Sequence, residues 1–160
     1  MQDHIVVTGA AGFIGSNLTD RLLADGRTVV GIDRFTDYYA REQKEANLAG
    51  AHANRAFTLV EEDLLDADLP ALFEGAACVY HLAAQPGVRS SWGDSFEVYV
   101  RDNVWATQKV LEACLKAGSP PLVYASPSAG AGFGKMPSWA RSRPGPRGAR
   151  GPIASLRHVD

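Results

Sequence analysis

Short apolar runs alternate with amphipathic stretches over the first 125 residues of the chain. Each run is bounded by turn residues and is typical of a buried strand: residues 6–8, 28–32, 56–61, 77–82 and 122–125. Between them, apolar side chains recur at helical spacing: Ile14, Leu18 and Leu22; Leu69 to Phe73; and Val100, Val104, Thr107, Leu111 and Cys114, in a long helix that ends near Lys116. Residues 37–51 predict a loop that enters a short helix.

This alternation defines the fold class. Strands separated by helices form parallel β-α-β units with right-handed crossovers. We therefore expect an α/β fold, a Rossmann-like doubly wound parallel sheet of strand order 3-2-1-4-5. Its ligand site should lie at the switch point between strands 1 and 4.

A glycine-rich segment follows the first strand and opens the first helix. Gly9, Gly12 and Gly15 have the spacing G-x-x-G-x-x-G. Gly9 permits a tight turn, Gly12 lets backbone N–H groups approach a pyrophosphate at the positive end of the helix, and Gly15 lets the helix pack close to the strand. The strand–turn–helix context predicts a dinucleotide site.

Asp33 ends the second predicted strand, about 20 residues beyond the glycines, where a carboxylate can accept hydrogen bonds from an adenosine ribose. A carboxylate at this place also repels a 2′-phosphate, so the sequence favours NAD over NADP. The adjacent Arg34 weakens that preference. The alternative is that Asp33 is only a turn residue at the strand end.

Composition narrows the class of protein. The 160 residues are 46% hydrophobic with a formal charge of −2, which predicts one core and argues against nucleic acid or membrane surfaces as partners. Cys78 and Cys114 have no metal-type spacing, so we expect two free thiols and no metal site. The sequence shows neither an apolar span nor a signal peptide pattern, so we expect a cytoplasmic protein.

Charge and composition change near residue 126. Residues 1–126 hold 17 acidic and 10 basic residues, whereas residues 127–160 hold 6 basic residues and 1 acidic residue. The second segment is rich in Gly, Pro, Arg and Ala and lacks periodicity. It predicts an irregular tail, which is either a disordered basic segment that binds an acidic partner or an out-of-frame reading of a GC-rich gene.

The motifs together resemble the extended short-chain dehydrogenase/reductases, and among them the NAD-dependent nucleotide-sugar 4-epimerases, most of all the UDP-glucuronate 4-epimerase branch. The resemblance covers residues 4–126. It is carried by the turn from Thr8 to Gly15, by Asp33, by Asp63-Leu64, by His81-Leu82-Ala83-Ala84-Gln85, by Leu122-Val123-Tyr124-Ala125-Ser126, and by the branch-like segments 31–39 and 85–89.

The resemblance implies an NAD-binding domain in residues 1–126 and assigns site residues. For the pyrophosphate and adenosine side of the cofactor, Gly9, Phe13 and Ile14 would line the pyrophosphate together with Gly12 and Gly15, Asp33 would hold the ribose, and Asp63 and Leu64 would hold the adenine. On the nicotinamide side, Leu82, Ala83 and Ala84 would flank the ribose, and Asn103 would brace the backbone after strand 4. Arg89 and Ser91 would contact a UDP-sugar. Taken alone, Asp63 fits a solvated loop carboxylate better than a ligand contact, and Asn103 fits a polar position on an exposed helix face better; their positions within the family pattern reverse that preference.

The chemistry of the family requires a Ser or Thr hydroxyl and a Tyr-x-x-x-Lys pair. Pro127 stands at the hydroxyl position, and Ser126 and Ser128 are each one residue away. None of the five tyrosines has a lysine four residues later. We therefore assign no catalytic residue to the chain.

Two functions remain open. The first is the N-terminal, NAD-binding part of a UDP-glucuronate or UDP-galactose type 4-epimerase, without turnover as this chain and without the sugar-binding domain that the family carries. UDP-sugar binding would then be weak or lost. The second is a non-catalytic NAD-binding or regulatory module with a basic tail for a partner. Because little apolar material follows strand 5, we also expect self-association.

Overall fold

The computed structural model describes residues 3–87 and 93–125, and within them one parallel sheet holds the fold together. Its five strands are β1 (His4–Thr8), β2 (Val29–Ile32), β3 (Phe57–Val60), β4 (Ala76–His81) and β5 (Leu122–Tyr124). They lie in the order β3-β2-β1-β4-β5, and every pairing is parallel. The predicted strand order is confirmed.

Strand register brings three strand ends to one level. Thr8, at the end of β1, lies opposite Ile32 of β2 and His81 of β4. The chain therefore leaves these three strands side by side at their carboxyl ends, where a doubly wound sheet binds its ligands.

Helices cover both faces of the sheet. They are α1 (Phe13–Ala24), α2 (Arg41–His52), α3 (Leu69–Phe73), α4 (Phe96–Tyr99) and α5 (Ala106–Lys116). Within the described part of the chain, no helix combines the length and apolar composition that crossing a membrane requires.

Alternate residues of β1 supply the two cores. Val6 packs on the face covered by α3 and α5, whereas Ile5 and Val7 pack on the face covered by α1 and α2. Both faces are apolar because a parallel sheet is buried on both sides.

The buried side of α1 differs from the prediction. The spacing of Ile14, Leu18 and Leu22 predicts an inward face, but Ile14 is 63% exposed and the buried residues are Gly15, Ser16, Thr19 and Leu23. Small side chains face the sheet here because the helix begins directly behind the tight turn and lies close to the strand. Leu18 and Leu22 contact the edge of the same core, half-buried.

The predicted long helix is built from three kinds of helical turn. Gly93–Ser95 forms a 3₁₀ turn, α4 follows, and Val100–Trp105 is π-helical before α5 begins. Ser95 immediately precedes α4, and its side chain makes no capping hydrogen bond. The wider π turns rotate Val104 outward to 63% exposure, although its spacing predicts burial.

Gly15 offers a direct test of this packing. An added Cβ there would lie 2.1 Å from the carbonyl oxygen of Gly9. We expect Gly15→Ala to lower the free energy of unfolding by about 3 kcal/mol, since backbone must move to relieve the overlap. Urea unfolding followed by circular dichroism measures the change.

Gly50 in α2 provides the matched control. A Cβ there meets no atom closer than 3.4 Å, so Gly50→Ala should raise the free energy of unfolding by up to about 1 kcal/mol through helix propensity. Equal effects of the two substitutions would show that close packing at Gly15 is not what the fold requires.

Candidate dinucleotide-binding site

The turn between β1 and α1 begins at a position that requires glycine. Gly9 has φ +70°, in the left-handed region, and its N–H donates to the carbonyl oxygen of Ile32 at 2.7 Å. An added Cβ would lie 2.8 Å from the backbone of Ala83, which follows β4. Both its backbone conformation and its surroundings therefore require glycine at this position.

The N-terminus of α1 presents backbone donors next to this turn. The first helical hydrogen bond runs from the Ser16 N–H to the Gly12 carbonyl oxygen, so helix geometry leaves the N–H groups of Phe13, Ile14 and Gly15 without an intrahelical acceptor. Gly12 is extended, and a Cβ on it would lie 3.2 Å from the Gly9 carbonyl oxygen. Free N–H groups and the helix dipole together favour an anion here.

Asp33 joins the end of β2 to the glycine turn. One carboxylate oxygen accepts the Ala11 N–H at 3.1 Å, and the other accepts the Phe35 N–H at 2.8 Å. Phe35 has φ +53°, so the Asp33 carboxylate stabilises a sharp change in chain direction. Asp33 is therefore a turn residue, and it also lies beside the dinucleotide turn.

Lys44 is a site residue that the sequence reasoning missed. Its ammonium lies 3.2 Å from Asp33 and 3.3 Å from the Thr36 hydroxyl, and the Lys44 and Asp33 side chains are only 6% and 8% exposed. One signal could have found it: Lys44, Leu48 and Ala51 recur at helical spacing and share the buried face of α2.

Asp63 lies in the loop between β3 and α3. One oxygen accepts the Leu65 N–H, and the other accepts hydrogen bonds from Arg34 at 2.7 Å and Arg101 at 2.8 Å. Burial opposes ionisation of Asp63, but these donors outweigh it and hold its pKa below the ordinary value. The side chain of the neighbouring Leu64 packs into the core, so its backbone is the part that can face a ligand.

A buried histidine links β1, β4 and α5. The Thr8 hydroxyl oxygen accepts the N–H groups of Leu82 and Ala83, so its proton points to Nδ1 of His81 at 2.8 Å. The Thr107 hydroxyl donates to the Asn103 carbonyl oxygen and therefore accepts Nε2–H of His81 at 3.0 Å. These directions fix His81 as the neutral Nε2–H tautomer.

Asn103 holds the loop after β4. Its side-chain oxygen accepts the Gln85 N–H at 2.7 Å, and its side-chain nitrogen donates to the Gln85 carbonyl oxygen at 3.1 Å. Leu82 and Ala83 are half-buried against Thr8, and Ala84 is exposed. The loop that faces the glycine turn is therefore fixed at both ends.

The structure brings most of the proposed cofactor residues to one edge of the sheet. The glycine turn, Asp33, Asp63 and the residues after β4 all follow strand ends on this edge. Arg89, Ser91 and Pro127 lie outside the described residues.

The fold and the site define a doubly wound dinucleotide-binding protein, and comparison with known proteins gives its family. The model of the NAD dependent epimerase/dehydratase family matches residues 5–149. The chain belongs to this family.

Relatives in the family are nucleotide-sugar epimerases. A Bacillus subtilis protein named uncharacterized UDP-glucose epimerase YtcB is 47% identical over 125 residues, which are 78% of this chain and 40% of that protein. The UDP-glucose 4-epimerase of Mycolicibacterium smegmatis is 40% identical over 153 residues, covering 94% of this chain and 46% of that enzyme.

A solved structure agrees with the fold and with the cofactor class. The UDP-glucuronic acid 4-epimerase of Bacillus cereus, in complex with UDP-glucuronic acid and NAD, superimposes with a TM-score of 0.75 at 44% identity. The match covers 78% of this chain and 40% of that enzyme. The chain thus spans less than half the length of these relatives, in their N-terminal, NAD-binding part.

The buried His81 predicts a pH dependence of stability. Burial lowers the pKa of His81 to about 4, whereas the unfolded imidazole titrates near 6.5. Between these values the unfolded chain binds more protons, so stability is full above about pH 6.5 and is lost as the pH falls. We expect the free energy of unfolding, measured in urea, to decrease by roughly 2 kcal/mol between pH 7 and pH 4.5 from this residue alone.

His81→Gln removes the titrating group and should flatten this part of the pH dependence. The exposed His52 provides the control, because His52→Gln should leave the slope unchanged. An unchanged slope in His81→Gln would contradict the burial of a neutral imidazole.

Proposed function

We propose that residues 1–126 bind NAD across the carboxyl ends of β1, β2 and β4, as the cofactor domain of a nucleotide-sugar 4-epimerase. The main support for the proposal is the geometry of the glycine turn and the N-terminus of α1. Gly9, with φ +70°, turns the chain tightly out of β1, and Gly12 is extended and carries no side chain beside N–H groups that have no intrahelical acceptor. This arrangement suits a pyrophosphate.

The same edge of the sheet offers partners for the rest of the cofactor. The proposed contacts are the pyrophosphate at Gly9, Gly12, Phe13, Ile14 and Gly15, the ribose at Asp33, the adenine at Asp63 and Leu64, and the nicotinamide-side ribose at Leu82, Ala83 and Ala84. Asn103 positions the last of these through Gln85. Lys44 pairs with the Asp33 carboxylate at 3.2 Å beside the proposed position of the ribose.

The names of the relatives support a UDP-sugar as the proposed substrate class. NAD would supply the hydride acceptor for oxidation at C4 of a UDP-sugar, and Arg89 and Ser91 are the proposed sugar-nucleotide contacts. The sequence has proline at position 127, where the family has its Ser or Thr, and it lacks a Tyr-x-x-x-Lys pair. We therefore propose that this chain binds the cofactor without turning over substrate.

Calorimetric titration of the purified chain with NAD tests cofactor binding. We expect binding that Gly12→Val weakens by at least about 100-fold, since a branched side chain fills the space for the pyrophosphate. Gly50→Ala is the control and should bind as the unsubstituted chain does. Equal affinity of Gly12→Val and the unsubstituted chain would place the cofactor elsewhere.

The absence of turnover is tested by incubating the chain with NAD and UDP-glucuronate or UDP-galactose. General acid–base groups contribute about 10²–10⁴-fold to such reactions, and the missing groups also position the sugar. We expect no 4-epimer above a control without protein, by anion-exchange chromatography. Enzyme-dependent product would show that other residues of this chain perform the chemistry.

A further inference from the structure

Arg34 lies where it could let the proposed site bind NADP as well as NAD. It directly follows Asp33, and an arginine near that place can accommodate the 2′-phosphate of NADP. Next to the adenosine ribose, the negative charge of Asp33 therefore favours NAD, whereas the positive charge of Arg34 favours NADP. The outcome depends on where the Arg34 guanidinium is held.

The structure holds it in a closed ring of ion pairs. Arg34 contacts Asp63 at 2.7 Å through Nη1 and Asp102 at 2.5 Å through Nη2. Arg101 contacts the same two carboxylates, Asp63 at 2.8 Å and Asp102 at 3.0 Å. Each arginine therefore bridges both aspartates, and each aspartate bridges both arginines.

The ring lies between the strand ends and the π-helical segment. Asp63 and Asp102 are the most buried members, with side chains 16% and 11% exposed, whereas Arg34 and Arg101 are 30% and 36% exposed. Each of the four contacts joins one guanidinium nitrogen to one carboxylate oxygen, and such charge-assisted hydrogen bonds, closed into a network and partly buried, are stronger than an isolated ion pair at a surface. Both terminal nitrogens of Arg34 already donate to carboxylates of the ring, so neither is available to a further anion such as a 2′-phosphate.

The neighbouring charges are balanced as well. Lys44 pairs separately with Asp33 at 3.2 Å. Each of the three cations Arg34, Arg101 and Lys44 therefore contacts at least one of the carboxylates of Asp33, Asp63 and Asp102. A 2′-phosphate would have to break existing pairs of Arg34 and would still approach the Asp33 carboxylate. The ribose hydroxyls of NAD require neither change.

We propose that Asp102 is a specificity-determining residue, because together with Asp63 it withholds Arg34 from a 2′-phosphate and so keeps the site selective for NAD over NADP. This inference rests on the proposed NAD site. It assigns a cofactor-selection role to a residue of the π-helical segment, outside the glycine turn and outside the strand ends.

Asp102→Asn in the full chain tests the proposal, since it removes one charge from the ring at nearly constant volume. Calorimetric titration with NADP should show a Kd about tenfold lower than in the unsubstituted chain, while the Kd for NAD changes less than about threefold. Glu61→Gln is the matched control: it breaks the exposed pair of Glu61 with Arg41, does not touch Arg34, and should leave both values unchanged.

Arg34→Gln provides a second arm, and its effect in the otherwise unsubstituted chain does not depend on the folding of the Asp102 variant. Because Arg34 is held by the ring, its removal from the otherwise unsubstituted chain should leave NADP affinity unchanged, and in the Asp102→Asn background it should abolish the gain. The proposal is overturned if Arg34→Gln alone weakens NADP binding, or if folded Asp102→Asn binds NADP no better. Failure of the unsubstituted chain to bind NAD would instead overturn the proposed function on which the inference rests.

Discussion

The contact between the glycine turn and the end of β4 is the constraint on which the rest of the site depends. Gly9 lies so close to Ala83 that no side chain fits between them, and the neighbouring Thr8 hydroxyl accepts the N–H groups of Leu82 and Ala83. On the other side, the N–H groups of Gly9 and Ala10 donate to Ile32 of β2. The ends of three strands are thereby joined by backbone groups and by the Thr8 hydroxyl, and the cleft at the switch point takes its shape from them.

Charge at this edge is arranged in pairs rather than as a free positive patch. Asp33 and Lys44 neutralise each other in a buried position, and the two arginines of the ring are shared between Asp63 and Asp102. An anionic cofactor would therefore meet backbone N–H groups and a helix dipole, which demand close approach and a defined geometry. Such a site selects by shape and hydrogen bonding more than by net charge.

The strand order followed from the sequence because its signals are local. Apolar runs, the glycine spacing and the acidic residue at a strand end depend on neighbouring residues, and the parallel pairing they predict is what the structure contains. The direction in which α1 buries its small residues was missed, because side-chain size and closeness to the sheet outweigh hydrophobic periodicity there.

The side-chain pairings of the site were beyond sequence reasoning for a different reason. Lys44 lies in a stretch of alternating charges that is typical of an exposed helix, and only tertiary packing brings it against Asp33. Arg34 and Asp102 are 68 residues apart and meet because the fold brings the π-helical segment against the chain that follows β2. Contacts between residues so distant in sequence, on segments of unusual backbone geometry, leave no periodic signal.

We propose above that NAD is held by the backbone at the start of α1 and at the strand ends beside it. Amide chemical-shift mapping of the ¹⁵N-labelled chain during NAD addition tests it most directly. We expect the largest saturable shifts in residues 9–15, 33–35 and 82–85, with the residues of α3 unchanged on the far side of the sheet. Saturable binding that shifts α3 and leaves the glycine turn unchanged would contradict the account.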